Sequence, residues 1–523
     1  MVQGTQHVVM IASENDALHG GKVGGIGDVI RDLPAALAKC GWRITVIIPS
    51  YGLLHTNNPS KSCSEVRFPF RGTTQKAELW EATPKQPCEQ VRHLVVEHPS
   101  IRGNPIYVND PPQSPFMHDA TKYAMFCSAV GQFLLNEQSP FLLHLHDWHA
   151  ATILMLRELH PAFSHLNSIR TVFTIHNLAI QGTRQMRGHE SSVKSWFPEL
   201  FNDSSWVSTW KDPRYQEPCY TPMAIGIQYA DKVSTVSPSY AEEILQPSDH
   251  RRGWYGGEGL ENFLQQAKRE QRLVGILNGC EYPPQSTSPR MSFTELCELI
   301  KSELTLWQQK NQDSFFDDVV HRIDTMKHVQ PKILLTSITR VVEQKIKLFF
   351  ERGSNSVTAL DQILNTLAEH QGLYFFLGRG APDYENLLKE VFRKHKRFIF
   401  VPGYSETIAS ALYANGNLFL MPSLFEPCGI SQMIAMRDGQ PCVVHSVGGL
   451  KDTVIDNVNG FRFSGNTLQQ QVDDFSRVTQ KAIKIFFDNK NTWEKIRMEA
   501  KKSRFSWESS AKKYIELLYT VNY

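Results

Sequence analysis

HVVMIASENDALHGGKVGGIGDVIRDLPAALAKCGWRITVIIP, residues 7–49, opens on a β-rich apolar run over 7–13 and closes on another over 43–49. Between them Val29, Leu33, Ala36 and Leu37 recur at the spacing of one helix face, which predicts a helix over 28–40. Strand, glycine-dense turn, helix and strand make a βαβ unit. Two strands joined through a helix lie parallel, so this stretch predicts an α/β protein built on a parallel sheet.

The same rhythm continues outward. Apolar runs at 141–145, 170–175, 232–236 and 273–277 are spaced widely enough for helices to intervene. A Pro- and Ser-rich stretch without periodicity, 283–290, reads as a linker, and after a helical region near 293–309 a second alternating series begins. Its strands are expected at 332–337, 373–377, 397–402 and 418–422, with helices at 383–393 and 406–413. From 468 onward the pattern is two or three amphipathic helices. The expected organisation is therefore an N-terminal Rossmann-like domain over 1–285, a C-terminal one over 286–505, and a last helix over 506–523 that packs back on the first domain. Two such sheets facing across a deep cleft would line it with strand C-terminal ends, where α/β proteins bind ligands.

Composition narrows the class. With 523 residues, 41% apolar and 21% charged, the chain is long enough for more than one core and has the balance of a folded globular protein. A formal net charge of +2 rules out a global field that would draw the chain to nucleic acid or an anionic membrane, so a phosphate ligand must be held locally. The nine cysteines show no C-x-x-C pair, which fits thiols in a reducing compartment. The N-terminal segment lacks a basic region and its apolar run is short for a signal sequence, so a cytoplasmic protein is expected.

Chemistry-bearing residues collect where strands end. The loop Gly20–Asp28 is glycine-dense and opens a helix, so backbone can approach a phosphate there. It does not spell G-x-G-x-x-G, because Ile30 holds the third glycine's place, and no G-x-x-x-x-G-K-[ST] occurs. Such a turn is as often only a tight connection, and Lys22 inside it, read as a lone cation with no packing purpose, shifts the reading towards phosphate. No D-x-D triplet exists to carry a divalent ion, so cations and helix N-termini would have to neutralise a leaving diphosphate, and neither metal nor cofactor is expected. Arg340 and Lys345 follow the strand at 332–337 and are candidate cations for a leaving diphosphate, although for this pattern taken alone a solvated helix start with an Arg–Glu pair is the preferred reading. The segment His144-Leu-His-Asp-Trp-His149 places His144 and His146 on one strand face; without a zinc-like spacing it suits hydrogen bonding to substrate better than metal. His176 and Asn177 close another strand. Glu426 lies at a Pro-bounded turn before a helix and either accepts from sugar hydroxyls or caps the helix. Ser431 stands at that helix N-terminus and Gly448-Gly449 at the next; two amide-lined N-termini suit a diphosphate.

Taken in order, K-V-G-G-I-G-D-V (22–29), H-x-H-D-W-H (144–149), F-T-I-H-N-L-A-x-Q-G (173–182), A-D-K-V-S-T-V-S-P-S-Y (230–240), G-I-L-N-G (275–279), R-x-x-E-Q-K (340–345), P-S-x-F-E-P-C-G (422–429) and G-G-L-K-D-T-V (448–454) resemble the bacterial glycogen synthase and plant starch synthase family of two-domain GT-B transferases. The resemblance implies a retaining glucosyltransferase that extends α-1,4-glucan from ADP-glucose or UDP-glucose, with no nucleic acid or membrane partner. It places Lys22, Gly24 and Gly25 at the donor diphosphate, and Arg340 and Lys345 on the departing nucleoside diphosphate. The His176 carbonyl would lie under the transferred glucose, Glu426 on its hydroxyls with the Cys428 and Gly429 amides nearby, Asp147 towards the acceptor, and Tyr404 at the base. Asn177, Ser431, Gly448 and Gly449 complete the candidate donor-binding set. Ile434 stands where an E-x7-E pattern would put a second Glu, as in the glycogen synthase branch. Ile346, Cys280-Glu281, Asn417 and Ala224 depart from the family pattern. Two other readings stand beside this one: a related transferase making a small glucoside or disaccharide, and a non-catalytic glucan-binding homologue.

Overall fold

The computed structural model describes residues 6–103, 105–137, 142–282, 290–311 and 313–520. The chain divides into two compact units, one of Met1–Pro247, Gly256–Asn278 and Trp507–Tyr523, the other of Ser248–Tyr255 and Gly279–Ser506. The expected linker at 283–290 lies, except for its last residue, outside the described residues.

The first unit is built on strands β1 His7–Ile11, β2 Arg43–Pro49, β3 Ser60–Phe70, β4 Thr73–Ala82, β5 Val91–Glu97, β6 Leu142–His146 and β7 Arg170–Ile175; a small hairpin of β8 Arg184–Gln185 and β9 Cys219–Tyr220; and β10 Lys232–Thr235 and β11 Leu273–Gly275. Its large sheet runs β11-β10-β7-β6-β1-β2-β5-β4-β3. From β11 to β5 every pairing is parallel, and β4 and β3 add an antiparallel edge. β1 is central and wholly buried, because the helix Gly25–Lys39 that follows presents Val29, Ile30, Leu33 and Leu37 to the core. The edge strands β3 and β4 were not expected from the sequence: they bury only alternate residues, such as Val66, Phe68 and Phe70, and are polar between them.

The second unit carries β12 Leu334–Ile338, β13 Leu373–Gly378, β14 Phe398–Pro402, β15 Leu418–Met421, β16 Cys442–His445 and β17 Phe461–Phe463 in one sheet ordered β14-β13-β12-β15-β16-β17. All its pairings are parallel. Helices Glu343–Phe350, Ala359–Glu369, Pro382–Lys394, Glu406–Asn415 and Leu468–Asp488 bury apolar stripes with the sheet in one core. Helix Trp507–Tyr514 belongs to the first unit, where Trp507, Tyr514, Leu518 and Tyr519 are buried. No helix among the described residues is long and apolar enough to cross a membrane.

Candidate active site

In the second unit the site is made where β12 and β15 end. After β15 the chain turns through Pro422-Ser-Leu-Phe-Glu426, and this turn is stitched to the start of helix Glu343–Phe350: Leu424 N donates to the Gln344 carbonyl at 2.8 Å, and Gln344 Nε2 donates to the Phe425 carbonyl at 3.0 Å. The stitch brings Lys345 Nζ onto Glu426 Oε2, which also accepts from Ser423 Oγ at 3.0 Å. Both charged side chains are nearly buried, at 11% and 6% exposure. Burial pulls the Lys345 ammonium below the ordinary lysine range, with the Glu426 carboxylate acting the other way and Arg340 adding to the fall. Arg340, on the strand-to-helix turn, is exposed and has no acidic partner among the described residues.

A second turn closes on the first. Gly448 adopts φ 43°, and a Cβ there would meet the Glu426 carbonyl oxygen at 2.0 Å; at Gly449 it would meet the Cys428 carbonyl oxygen at 2.3 Å. Only glycine permits this approach, and it lets Gly449 N donate to the Glu426 carbonyl at 3.1 Å. Gln432 holds the same turn from the helix Ser431–Arg437, donating from Nε2 to the carbonyls of Cys428 and Gly429 at 3.2 and 3.0 Å. Glu426, Cys428, Gly429, Ser431, Gly448 and Gly449 thus form one assembly. Tyr404 stands 62% exposed on the turn after β14.

In the first unit the glycine loop differs from expectation. Lys22 is not a lone cation: its Nζ pairs with Asp28 at 2.5 Å and with Asp16 at 3.6 Å, in a cluster that also holds Arg31 and Lys85. Its partners are Asp28 at the end of the same loop and Asp16 before it, a pairing that the glycine pattern alone does not show. The amides of Val23 and Gly24 are occupied as well, donating to Glu14 Oε2 at 2.6 and 2.5 Å, and Tyr107 closes on the same carboxylate. Gly25 faces open space. Glu14 went unnoticed, although an acidic residue just past a buried strand end is a signal of this kind.

The ends of β6 and β7 form a buried polar cluster. Asp147 takes φ 57° and, instead of capping its own helix Trp148–Leu159, turns its carboxylate to the His176 amide at 2.8 Å, with the Asn177 amide also bonded to it. Burial pushes its pKa up to about 8 against those two amides. His146 Nδ1 and His176 Nε2 lie 3.0 Å apart, and His144 bridges Tyr519 at 2.8 Å and Thr174 at 2.7 Å. Burial lowers His144 and His176 to about 3, so these rings are neutral. Among the described residues no group of three or more His, Cys, Asp or Glu is arranged to hold a metal ion.

The family model described as starch synthase catalytic domain matches residues 7–266, and that described as glycosyl transferases group 1 matches residues 351–481. The glycogen synthase of Desulfitobacterium hafniense (strain DSM 10664 / DCB-2) is 31% identical over 520 residues, covering 96% of this chain and 97% of that protein. The chain belongs to the glycogen synthase family. Glycogen synthase of Clostridium novyi (strain NT) is 30% identical, covering 96% of each. Among solved structures, the catalytic domain of starch synthase IV from Arabidopsis thaliana, bound to ADP and acarbose, matches at TM-score 0.73 and 25% identity over 98% of this chain and 99% of that one. A sucrose-phosphate synthase from Thermosynechococcus elongatus shares the fold at TM-score 0.55 and 17% identity, covering 98% of each chain. As a glycogen synthase family member the chain is a nucleotide-sugar-dependent glycosyltransferase. Of its departures from the family pattern, Ile346, Ala224 and Cys280 are buried, Glu281 is exposed, and Asn417 Oδ1 accepts from Leu334 N at 2.8 Å beside β12.

Proposed function

We propose that the chain extends α-1,4-glucan by transferring glucose from ADP-glucose with retention of configuration. The observation that carries this reading is the clasp of Lys345, Glu426 and Ser423 under the Gly448-Gly449 turn. An arriving donor draws the Lys345 ammonium onto its diphosphate, where Arg340, exposed and without an acidic partner among the described residues, joins it. Glu426 then accepts from glucose hydroxyls, and the Cys428, Gly429, Gly448 and Gly449 backbone lines the sugar phosphate, with Ser431 opening the adjoining helix. Asp147 holds the His176 and Asn177 amides, which fixes the direction of the His176 carbonyl towards the developing charge at the anomeric carbon. This makes Asp147 a positioning residue.

The C1–O bond to the diphosphate breaks as C1 bonds to the acceptor hydroxyl on the same face, and a diphosphate oxygen takes the hydroxyl proton. Charge stabilisation and orientation, more than side-chain acid or base work, then set the rate. On this reading the Lys22, Gly24 and Gly25 loop contributes to the diphosphate once Glu14 yields the amides, and Tyr404 supports the base. ADP-glucose is favoured over UDP-glucose by the ADP bound in the plant starch synthase structure. A cytoplasmic location is supported by the nine free thiols. The test is transfer by the pure protein from ADP-glucose and UDP-glucose to glycogen, maltotriose and glucose. The expected result is a higher kcat/KM with ADP-glucose and product on the glucans; transfer to glucose alone would overturn the reading.

A further inference from the structure

A pocket of about 940 Å³ opens in the second unit beside the C-terminal ends of β16 and β17. One wall is a tight turn in which Asp249 N donates to the Trp254 carbonyl and Trp254 N to the Asp249 carbonyl, both at 3.0 Å. The other is the 464–466 turn with the first turns of helix Leu468–Asp488. Buried Gln471 ties the walls together, its Nε2 donating to the carbonyls of Arg252 and Gly465, each at 3.2 Å. His445 also lines the pocket, stacked on Phe463 at 4.9 Å and 5°. Its Nδ1 lies 2.9 Å from the Ser423 carbonyl, which can only accept. The ring proton is therefore on Nδ1, and Nε2 offers a lone pair.

The chemistry of the walls selects the ligand. Trp254 is half-buried, yet its indole has no hydrogen bond and no ring contact among the described residues. Asn466 and Gln470 add exposed amides. Both guanidiniums are already committed, Arg252 to Asp249 at 3.4 Å and Arg477 to Asp474, and Asp473 adds a further carboxylate. A phosphate would find no uncommitted cation here, and an apolar ligand would strand the amides. A neutral polyhydroxylated chain meets both demands, with a sugar face on the indole and hydroxyls on the amides and the imidazole. The pocket also adjoins the clasp: Val447 lines it just before Gly448, and Tyr255, next to Trp254, stacks on Phe425 at 4.3 Å and 26° beside Glu426.

We propose that this pocket is a second α-glucan subsite, in which Trp254 stacks on a glucose ring while Asn466, Gln470 and His445 bind its hydroxyls, so that a long acceptor is held next to the turn that carries Glu426. The proposal rests on the reading of the acceptor as an α-glucan. Its test is retention of the full-length protein in native gels containing glycogen, without donor, for wild type, Trp254→Ala, Trp254→Phe and the Asn466→Ala/Gln470→Ala double variant. Alongside it, KM for glycogen and for maltotriose is measured at saturating donor. Losing one stacking surface weakens glycogen binding roughly three- to tenfold in Trp254→Ala and raises KM for glycogen alike. Trp254→Phe keeps most of the affinity, the double variant loses part of it, and KM for maltotriose and kcat stay unchanged. Equal retention of Trp254→Ala and wild type, or no retention of wild type, overturns the subsite. If glucose transfer to glycogen proceeds while Trp254→Ala is retained like wild type, the subsite fails and the proposed function stands. If no glucan is extended while retention depends on Trp254, the function fails and the subsite stands.

Discussion

Lys345 shows how one buried pair can serve both stability and chemistry. Its ammonium sits against Glu426 with little water around either group. Removing it leaves a carboxylate without its counter-charge and, on the proposed mechanism, takes a cation from the leaving diphosphate. Lys345→Ala is expected to lower kcat about 10²- to 10³-fold, a loss set by charge developing in the transition state, with the smaller change in KM for glycogen checked by steady-state kinetics. Asp147 gives a separate handle through pH. Its carboxyl is held up at about 8 in the folded chain. In the unfolded chain it ionises near 3.9, so between about pH 4 and 8 unfolding releases a proton and stability falls as pH rises. Asp147→Asn keeps an acceptor for the His176 and Asn177 amides and removes that cost. Its advantage in denaturant midpoint should grow across this window, and a difference independent of pH would mean that the carboxyl is already ionised when folded. The buried histidines act with the opposite sign: His144 and His176, lowered to about 3, give stability that is present above about pH 6.5 and lost on acidification.

At the scale of elements, the Gly448-Gly449 turn leaves no room for a side chain. A methyl at Gly449 would lie 2.3 Å from the Cys428 carbonyl oxygen, so Gly449→Ala must push the two turns apart. The expected outcome is a loss of about 1–3 kcal/mol in stability together with reduced donor turnover, measured by chemical unfolding and by kcat/KM for the donor. Most of the parallel strands were legible because burial on both faces makes them continuous apolar runs, as at 7–11 and 398–402, whereas β5, whose run is broken by Arg92 and His93, was not. Strands β3 and β4 were not, since only alternate residues face inward and the rest read as loop. Three-residue β17 is too short to show a period. In the site, the polar residues at strand ends stood out against the apolar runs before them. Their partners did not: Lys345 and Glu426 are 81 residues apart, and the capture of the Val23 and Gly24 amides by Glu14 depends on a turn that no local pattern records.

At the scale of the whole molecule, the last helix is a structural part of the unit at the opposite end of the sequence. Tyr519 reaches His144 through its hydroxyl, and Trp507, Tyr514 and Leu518 are buried in the same unit. Tyr519→Phe removes the partner of a buried imidazole nitrogen and should cost about 1–3 kcal/mol. Deleting 507–520 should abolish cooperative melting of the first unit, followed by near-ultraviolet circular dichroism; an unchanged melt would show that this helix is dispensable. On the proposed mechanism side-chain cations and backbone amides, with no divalent ion, carry the transfer of glucose. The most direct check is the initial rate of glucose incorporation from ADP-glucose into glycogen in the presence of excess EDTA, for wild type and Lys345→Ala side by side. The expected result is a full wild-type rate under chelation and a variant rate at least about a hundredfold lower. A wild-type rate that vanishes with EDTA, or a variant that matches wild type, would contradict it.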